Sequence, residues 1–161
     1  PNRCFGVFMV NLCLPPKLKT GDRDALQELA RSLEWCEGEF AIVLARCNSV
    51  PLQSRLVQQL SRQCSVHLKE IALDRSATTL YTTIVDRLDR SPPDALSVSG
   101  FDLIDGIDRL LLGANFILGE FYQNFHFPSV WWVNDDIICK LIRLAPDLYS
   151  RTTTVEFSDI G

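Results

Sequence analysis

Phe40-Ala41-Ile42-Val43-Leu44-Ala45-Arg46-Cys47-Asn48-Ser49-Val50-Pro51 is the stretch that decides how the rest of the chain is read. Phe40 to Ala45 is continuously apolar, too short for a helix of ordinary length, and partly β-branched. A strand apolar on both faces must be covered on both faces, which predicts a central strand of a parallel sheet. A helix start follows at once. Asn48 and Ser49 offer side-chain acceptors for free backbone N–H groups, and Pro51 suits a first helical turn. Leu52, Leu56 and Leu60 then line one side of that helix, with Arg55, Gln58, Gln59 and Arg62 elsewhere.

The same alternation extends outward in both directions. Upstream, a helix beginning near Asp22 or Asp24 carries Leu26, Leu29, Ala30 and Leu33 at helical spacing, and Phe5 to Leu12 reads as a strand ended by Pro15-Pro16. Downstream, Val66 to Leu73 alternates and predicts a more exposed, edge-type strand. Thr78 to Leu88 is an amphipathic helix, and Ser91-Pro92-Pro93-Asp94 breaks it. Ala95 to Ser99 is a buried-type strand, and one long helix is expected from about Leu103 to Phe125, ended by Phe127-Pro128. Val130-Trp131-Trp132-Val133 places its tryptophans on opposite faces, so both faces need cover. Asn134 caps the next helix, Asp135 and Asp136 fall in its first turn, and Pro146 stops it; Thr152 to Phe157 is a last strand. Strict β-α alternation from Phe40 onward predicts an α/β fold: a three-layer, doubly wound, mainly parallel sheet of five to six strands with helices on both faces. With no internal repeat or linker, residues 1–161 read as a single domain, and the Pro1 and Gly161 ends lead us to expect a domain cut from a larger protein.

Composition narrows the function by exclusion. The chain has 161 residues, 47% hydrophobic and 22% charged, with a net charge of −4, which suits a globular domain and offers no concentrated positive face for nucleic acid or anionic membrane. No apolar run is long enough to span a membrane. Phe5 to Leu14 lacks a basic leader, so it reads as a buried strand rather than a signal peptide. The six cysteines (Cys4, Cys13, Cys36, Cys47, Cys64 and Cys139) form no CxxC pair and have no histidine at zinc-finger spacing. They are expected to be reduced and mostly buried, in a cytoplasmic protein.

In a sheet of this kind ligands bind at the carboxyl ends of the strands, beside the point where strand order reverses. The loops in question start near Arg46, Asp74, Gly100 and Asn134. A phosphate-binding loop after the first central strand would be Gly-rich and carry a lysine. Arg46 to Pro51 has neither, and Pro51 removes a backbone donor; no GxGxxG is present anywhere. What remains is a weak anion site, with Arg46, Asn48, Ser49 and Arg55 as its candidate contacts. His67 and His126 are better placed to cap or pack than to act as bases, and Ser97 and Ser99 read as strand-end residues without a base to activate them. Helix capping accounts for Asp102, Asp105, Asp135 and Asp136 without a metal, and Trp131 and Trp132 read as core. No catalytic, cofactor or metal-binding residue is nominated.

One series of motifs carries a resemblance. It runs through Val43-Leu44-Ala45-Arg46-Cys47-Asn48-Ser49, Gly113-Ala114-Asn115-Phe116, Gly119-Glu120-Phe121-Tyr122-Gln123-Asn124-Phe125, Phe127 to Asn134, Leu144-Ala145-Pro146-Asp147-Leu148-Tyr149-Ser150 and Val155-Glu156-Phe157. Over Phe40 to Phe157 the chain resembles a domain near the N-terminus of large, mostly cyanobacterial multidomain proteins, which often carry a STAND-class NTPase or tetratricopeptide repeats downstream. The resemblance implies a P-loop-like core that has lost its nucleotide-binding motif. It implies a non-enzymatic regulatory or protein-interaction role, with a protein or downstream domains of the same chain as partner. A homo-oligomer is compatible with that role. The other reading is an atypical nucleotide- or anion-binding domain.

Overall fold

The computed structural model describes residues 18, 20–88 and 90–158, so the strand expected at Phe5–Leu12 lies outside the described residues. Their elements run α1 (Thr20–Trp35), β1 (Ala41–Arg46), α2 (Val50–Gln63), β2 (Leu68–Ala72), α3 (Leu80–Arg87), β3 (Ala95–Ser99), a 3₁₀ turn (Phe101–Leu103), α4 (Ile107–Phe116), α5 (Leu118–Asn124), β4 (Pro128–Val133), α6 (Asp135–Leu144), α7 (Pro146–Tyr149) and β5 (Thr152–Glu156). The strands form one five-stranded sheet in the order β2-β3-β4-β1-β5. Every pairing in it is parallel. The runs read as central, in β1, β3 and β4, are the three interior strands, and the alternating β2 is an edge.

Period-two alternation divides the core between the two faces. Ile42 and Leu44 of β1, Leu96 and Val98 of β3, and Trp131 and Val133 of β4 face α3 to α7. Val43 and Ala45, Ala95, and Val130 and Trp132 face α1 and α2. Each indole keeps a hydrogen-bond partner in the dry interior: Trp131 Nε1 donates to Ser129 Oγ at 2.8 Å and Trp132 Nε1 to Ser97 Oγ at 2.9 Å. Ser97, read as a strand-end residue, is a buried acceptor.

Three expectations shift. The α1 helix starts at Thr20, and Asp22, expected near its cap, is only 3% exposed and accepts from Ser158 N at 2.7 Å, tying α1 to the chain beyond β5. The long helix expected from Leu103 to Phe125 is instead a 3₁₀ turn and two helices. Gly106 precedes α4, and the chain bends at Ile117 while the Ile117 N–H still donates to Gly113 O at 3.2 Å. Beyond the bend Phe121 and Phe125 pack with Phe40 and Tyr81 at the amino end of the sheet. Pro146 ends α6 as expected but also opens α7, since a proline at a first helical position gives up no bonded N–H.

Candidate functional site

The path from β1 to β2 runs through α2 on one face of the sheet, whereas α3 to α7 connect the later strands on the other face. Connections therefore diverge between β1 and β4, and the crevice outside their carboxyl ends is where a sheet of this topology offers a binding site. Its walls are the segment Arg46–Ser49 and the start of α6.

Arg46 ends β1, in register with Val133 of β4 and Glu156 of β5. Its Nε donates to Asp135 Oδ1, and its Nη1 lies 3.0 Å from Glu156 Oε1. Asn48 holds the same aspartate from the other side: its Nδ2 donates to Asp135 Oδ2 at 3.1 Å, and the Asp135 N–H donates to Asn48 Oδ1 at 2.8 Å. Hydrogen bonding from Arg46, supported by Asn48, keeps the Asp135 carboxyl below the usual aspartate range, while the Asp135 and Glu156 carboxylates push the Arg46 guanidinium up. The backbone is also engaged: Cys47 N donates to Val133 O and Phe157 N to Arg46 O, each at 2.9 Å.

The four anion candidates thus divide. Arg46 and Asn48 come together, around a carboxylate of the chain itself. Ser49 is turned into the helix, where its Oγ accepts from Leu52 N at 3.3 Å as the N-cap of α2. Arg55 does not join them; it lies about 9 Å along the α2 axis from the cap. Its Nε is enclosed with no hydrogen-bond partner among the described residues. Asn134 caps α6 by accepting from Ile137 N at 2.9 Å. Asp135, read as a helix-start residue, also holds the crevice together. Arg46 is 89 residues from it in sequence, so no spacing signalled the pair. The cavity left among Asn48, Gln53, Asp102, Asn134 and Ile137 measures about 10 Å³, at or just below the room one water needs.

A broader cleft of about 530 Å³ opens beyond β2 and β3, lined by Arg75, Thr78, Asp105, Asp108, Arg109 and Lys140 among others. Its charges are largely paired: Arg75 with Asp105 at 3.4 Å and Lys140 with Asp108 at 2.8 Å. The Lys140 bond holds the Asp108 carboxyl below its ordinary range. His67 and His126 are both exposed, and no cluster of metal-ligating side chains occurs among the described residues. No described helix is long and apolar enough to cross a membrane.

No family model matches the chain, and no curated protein does. Solved structures do. The chain is similar to a chain in the structure of Drosophila ORC bound to DNA, at 14% identity and a TM-score of 0.52, over 85% of this chain and 29% of that one. It is also similar to the Aeropyrum pernix ORC2 protein in its ADP form, at 12% identity and a TM-score of 0.50, over 89% of this chain and 50% of that one. The fold is P-loop-ATPase-like. At these identities the likeness concerns the fold alone, and this chain spans half or less of the length of either neighbour. In a P-loop-like sheet the phosphate loop leads from a strand into the N-terminus of a helix. Here Cys47, Asn48 and Ser49 connect β1 to α2, and two of the three carry the side-chain bonds just described.

Proposed function

We propose that this domain is a non-enzymatic regulatory or protein-interaction module, in which a P-loop-like core serves as a scaffold and its ligand end is closed by the chain's own side chains. The observation that carries this reading is Asp135. Its carboxylate occupies both Arg46 and Asn48, the groups that an incoming phosphate would need. The short loop between β1 and α2 brings no lysine and no glycine to replace them. The partner in this reading is a protein or a downstream domain of the same chain, as in the STAND-associated assemblies that the sequence resembles, in the cytoplasm. With no acid-base pair or activated nucleophile nominated, no reaction is assigned.

The test is a thermal-shift titration with Mg-ATP, ADP and GTP. A ligand at 100 times its Kd adds about 2.7 kcal/mol, or roughly 5 to 10 °C for a domain of this size. The expected result is no shift. A nucleotide-dependent shift that disappears in Arg46→Ala would overturn the reading. It would favour the atypical anion site, to which the ADP form of one structural neighbour gives a specific motive. Duplex DNA forms another arm, since a neighbour is bound to DNA; the net charge of −4 supports an expectation of no binding.

A further inference from the structure

β5 is one edge of the sheet, and no strand lies beyond it among the described residues. Phe157 N donates to Arg46 O. By the alternation of a parallel strand, Thr153 and Val155 then also turn their backbone groups toward β1, while Thr154 and Glu156 turn theirs outward. An open row of this kind is a template for another strand. Ser158, next in the outward row, has its N–H taken by Asp22 of α1 at 2.7 Å. The start of α1 therefore lies at the carboxyl end of β5. Leu18, just before the helix, already packs on the same half of the core.

The connections fix which edge a strand before α1 can take. The steps from β2 to β3, β3 to β4 and β4 to β5 all move toward the β5 edge, with their helices on the α3–α7 face. The step from β1 to β2 moves the other way with α2 on the opposite face. Reversing both direction and face preserves the hand, so all four connections share the right hand of parallel crossovers. α1 lies on the α2 face and packs on β5, β1 and β4. A connection through α1 keeps that hand only by arriving at β1 from the β5 side. β5 fills the place next to β1, so the vacant place is the one beyond β5.

We infer that the outer edge of β5 is the docking site of the chain's own segment Phe5–Leu12, which pairs with it in parallel as a sixth strand. The segment is uncharged, free of proline and rich in apolar residues, as a strand requires. Running parallel to β5, it ends at the carboxyl end of the sheet, where residues 13–19, with Pro15-Pro16, turn directly into α1. An antiparallel strand would end at the opposite end, and residues 13–19 would have to return along its length, about 17 Å for five residues. The β2 edge does not serve. α1 packs over the other end of the sheet, and reaching β1 from β2 through α1 would make a left-handed crossover. The segment thus closes β5 from within the chain, and strands of other molecules are kept off that edge. A chain that bound nucleotide could carry the same strand, so the outcome here leaves the proposed function untouched.

The test is NMR amide exchange and cross-strand NOE measurement on the isotope-labelled 161-residue chain. The outward amides of Thr154 and Glu156 should exchange roughly a hundredfold or more slower than unstructured amides. NOEs should join residues 5–12 to residues 152–156, with the two sets of numbers rising together. Val7 and Val10 have opposite parity in the strand, so Val7→Pro/Val10→Pro removes at least one N–H that faces β5, whichever face that is. In this variant Thr154 and Glu156 should lose their protection while Thr153 and Val155, bonded to β1, keep theirs. Fast exchange of Thr154 and Glu156 in the parent would overturn the inference. So would NOEs to β2, NOEs with numbers running in opposite directions, NOEs found only between copies in a mixed-label sample, or a double variant that keeps the outer protection. If the prolines unfold the whole sheet, the NOEs of the parent chain still decide.

Discussion

Removing the Ser97 hydroxyl should expose how much the central strand depends on its buried polar pairs. Trp132 is 1% exposed, and its Nε1 donates to Ser97 Oγ at 2.9 Å, across the two strands that carry them. Ser97→Ala leaves the indole N–H in a dry interior without an acceptor. A stranded buried donor costs about 1 to 3 kcal/mol. For a domain of this length that corresponds to a fall in Tm of roughly 3 to 10 °C. Trp132→Phe removes the donor instead, at the expense of ring volume and of contact with Phe157, whose ring centroid lies 5.9 Å away. The informative quantity is the coupling. In urea melts of the two single variants and the double, Ser97→Ala should cost much less in the Trp132→Phe background, giving an interaction energy of about 0.5 to 2 kcal/mol. Costs that simply add would refute the pairing. A Ser97→Ala variant within about 0.3 kcal/mol of the parent would refute the claim that the indole has no other acceptor.

Gly100→Ala should destabilise by about 2 to 4 kcal/mol, since a left-handed conformation alone costs an L-residue about 1 to 2 kcal/mol. Gly100 has φ +96°, and the added Cβ would lie 3.0 Å from Leu73 O, a backbone atom that cannot swing aside; a urea midpoint unchanged by the substitution would contradict this. Acid unfolding should report Asp135. Its carboxyl is held below the ordinary 3.8 by Arg46 and Asn48, so the stability it contributes is fully present above that value and is lost as pH falls through the lower folded-state value. Asp135→Asn should therefore be less stable than the parent at neutral pH, with the two curves converging below about pH 3.8; parallel curves across that window would refute the assignment. Glu34 should behave alike, its carboxyl lowered by bonds from Ser65 N and Oγ at 3.0 and 2.8 Å, so that Glu34→Gln loosens the contact between the ends of α1 and α2 in hydrogen exchange.

Much of the fold was legible because burial and secondary structure share a period. The two adjacent tryptophans of β4 had to face opposite ways, and each lies in a different half of the core. The breaks around α4 were less legible. Ile107 to Phe125 carries a continuous helical pattern, yet the helix breaks at Ile117, beyond which Phe121 packs on Phe40 and Phe125. At the candidate site, sequence placed Arg46, Asn48 and Ser49 close together after the first central strand, and the structure adds Asp135 as the counterpart of Arg46 and Asn48. Asp135 read as an ordinary first-turn acid, and that role explained it without remainder until β1 and β4 were known to be neighbours.

The sequence by itself determined that this chain forms alternating strands and helices, which of its strands are buried on both faces, and that its first central loop lacks the glycines and lysine of a phosphate loop. Those are local properties, set by side-chain period and by what one short segment contains. Only the tertiary structure decided the strand order β2-β3-β4-β1-β5 and the meeting of Arg46 with Asp135 and Glu156. Each of these depends on which distant segments become neighbours. That choice is made by covering both faces of the sheet at once, and no single window of the chain encodes it.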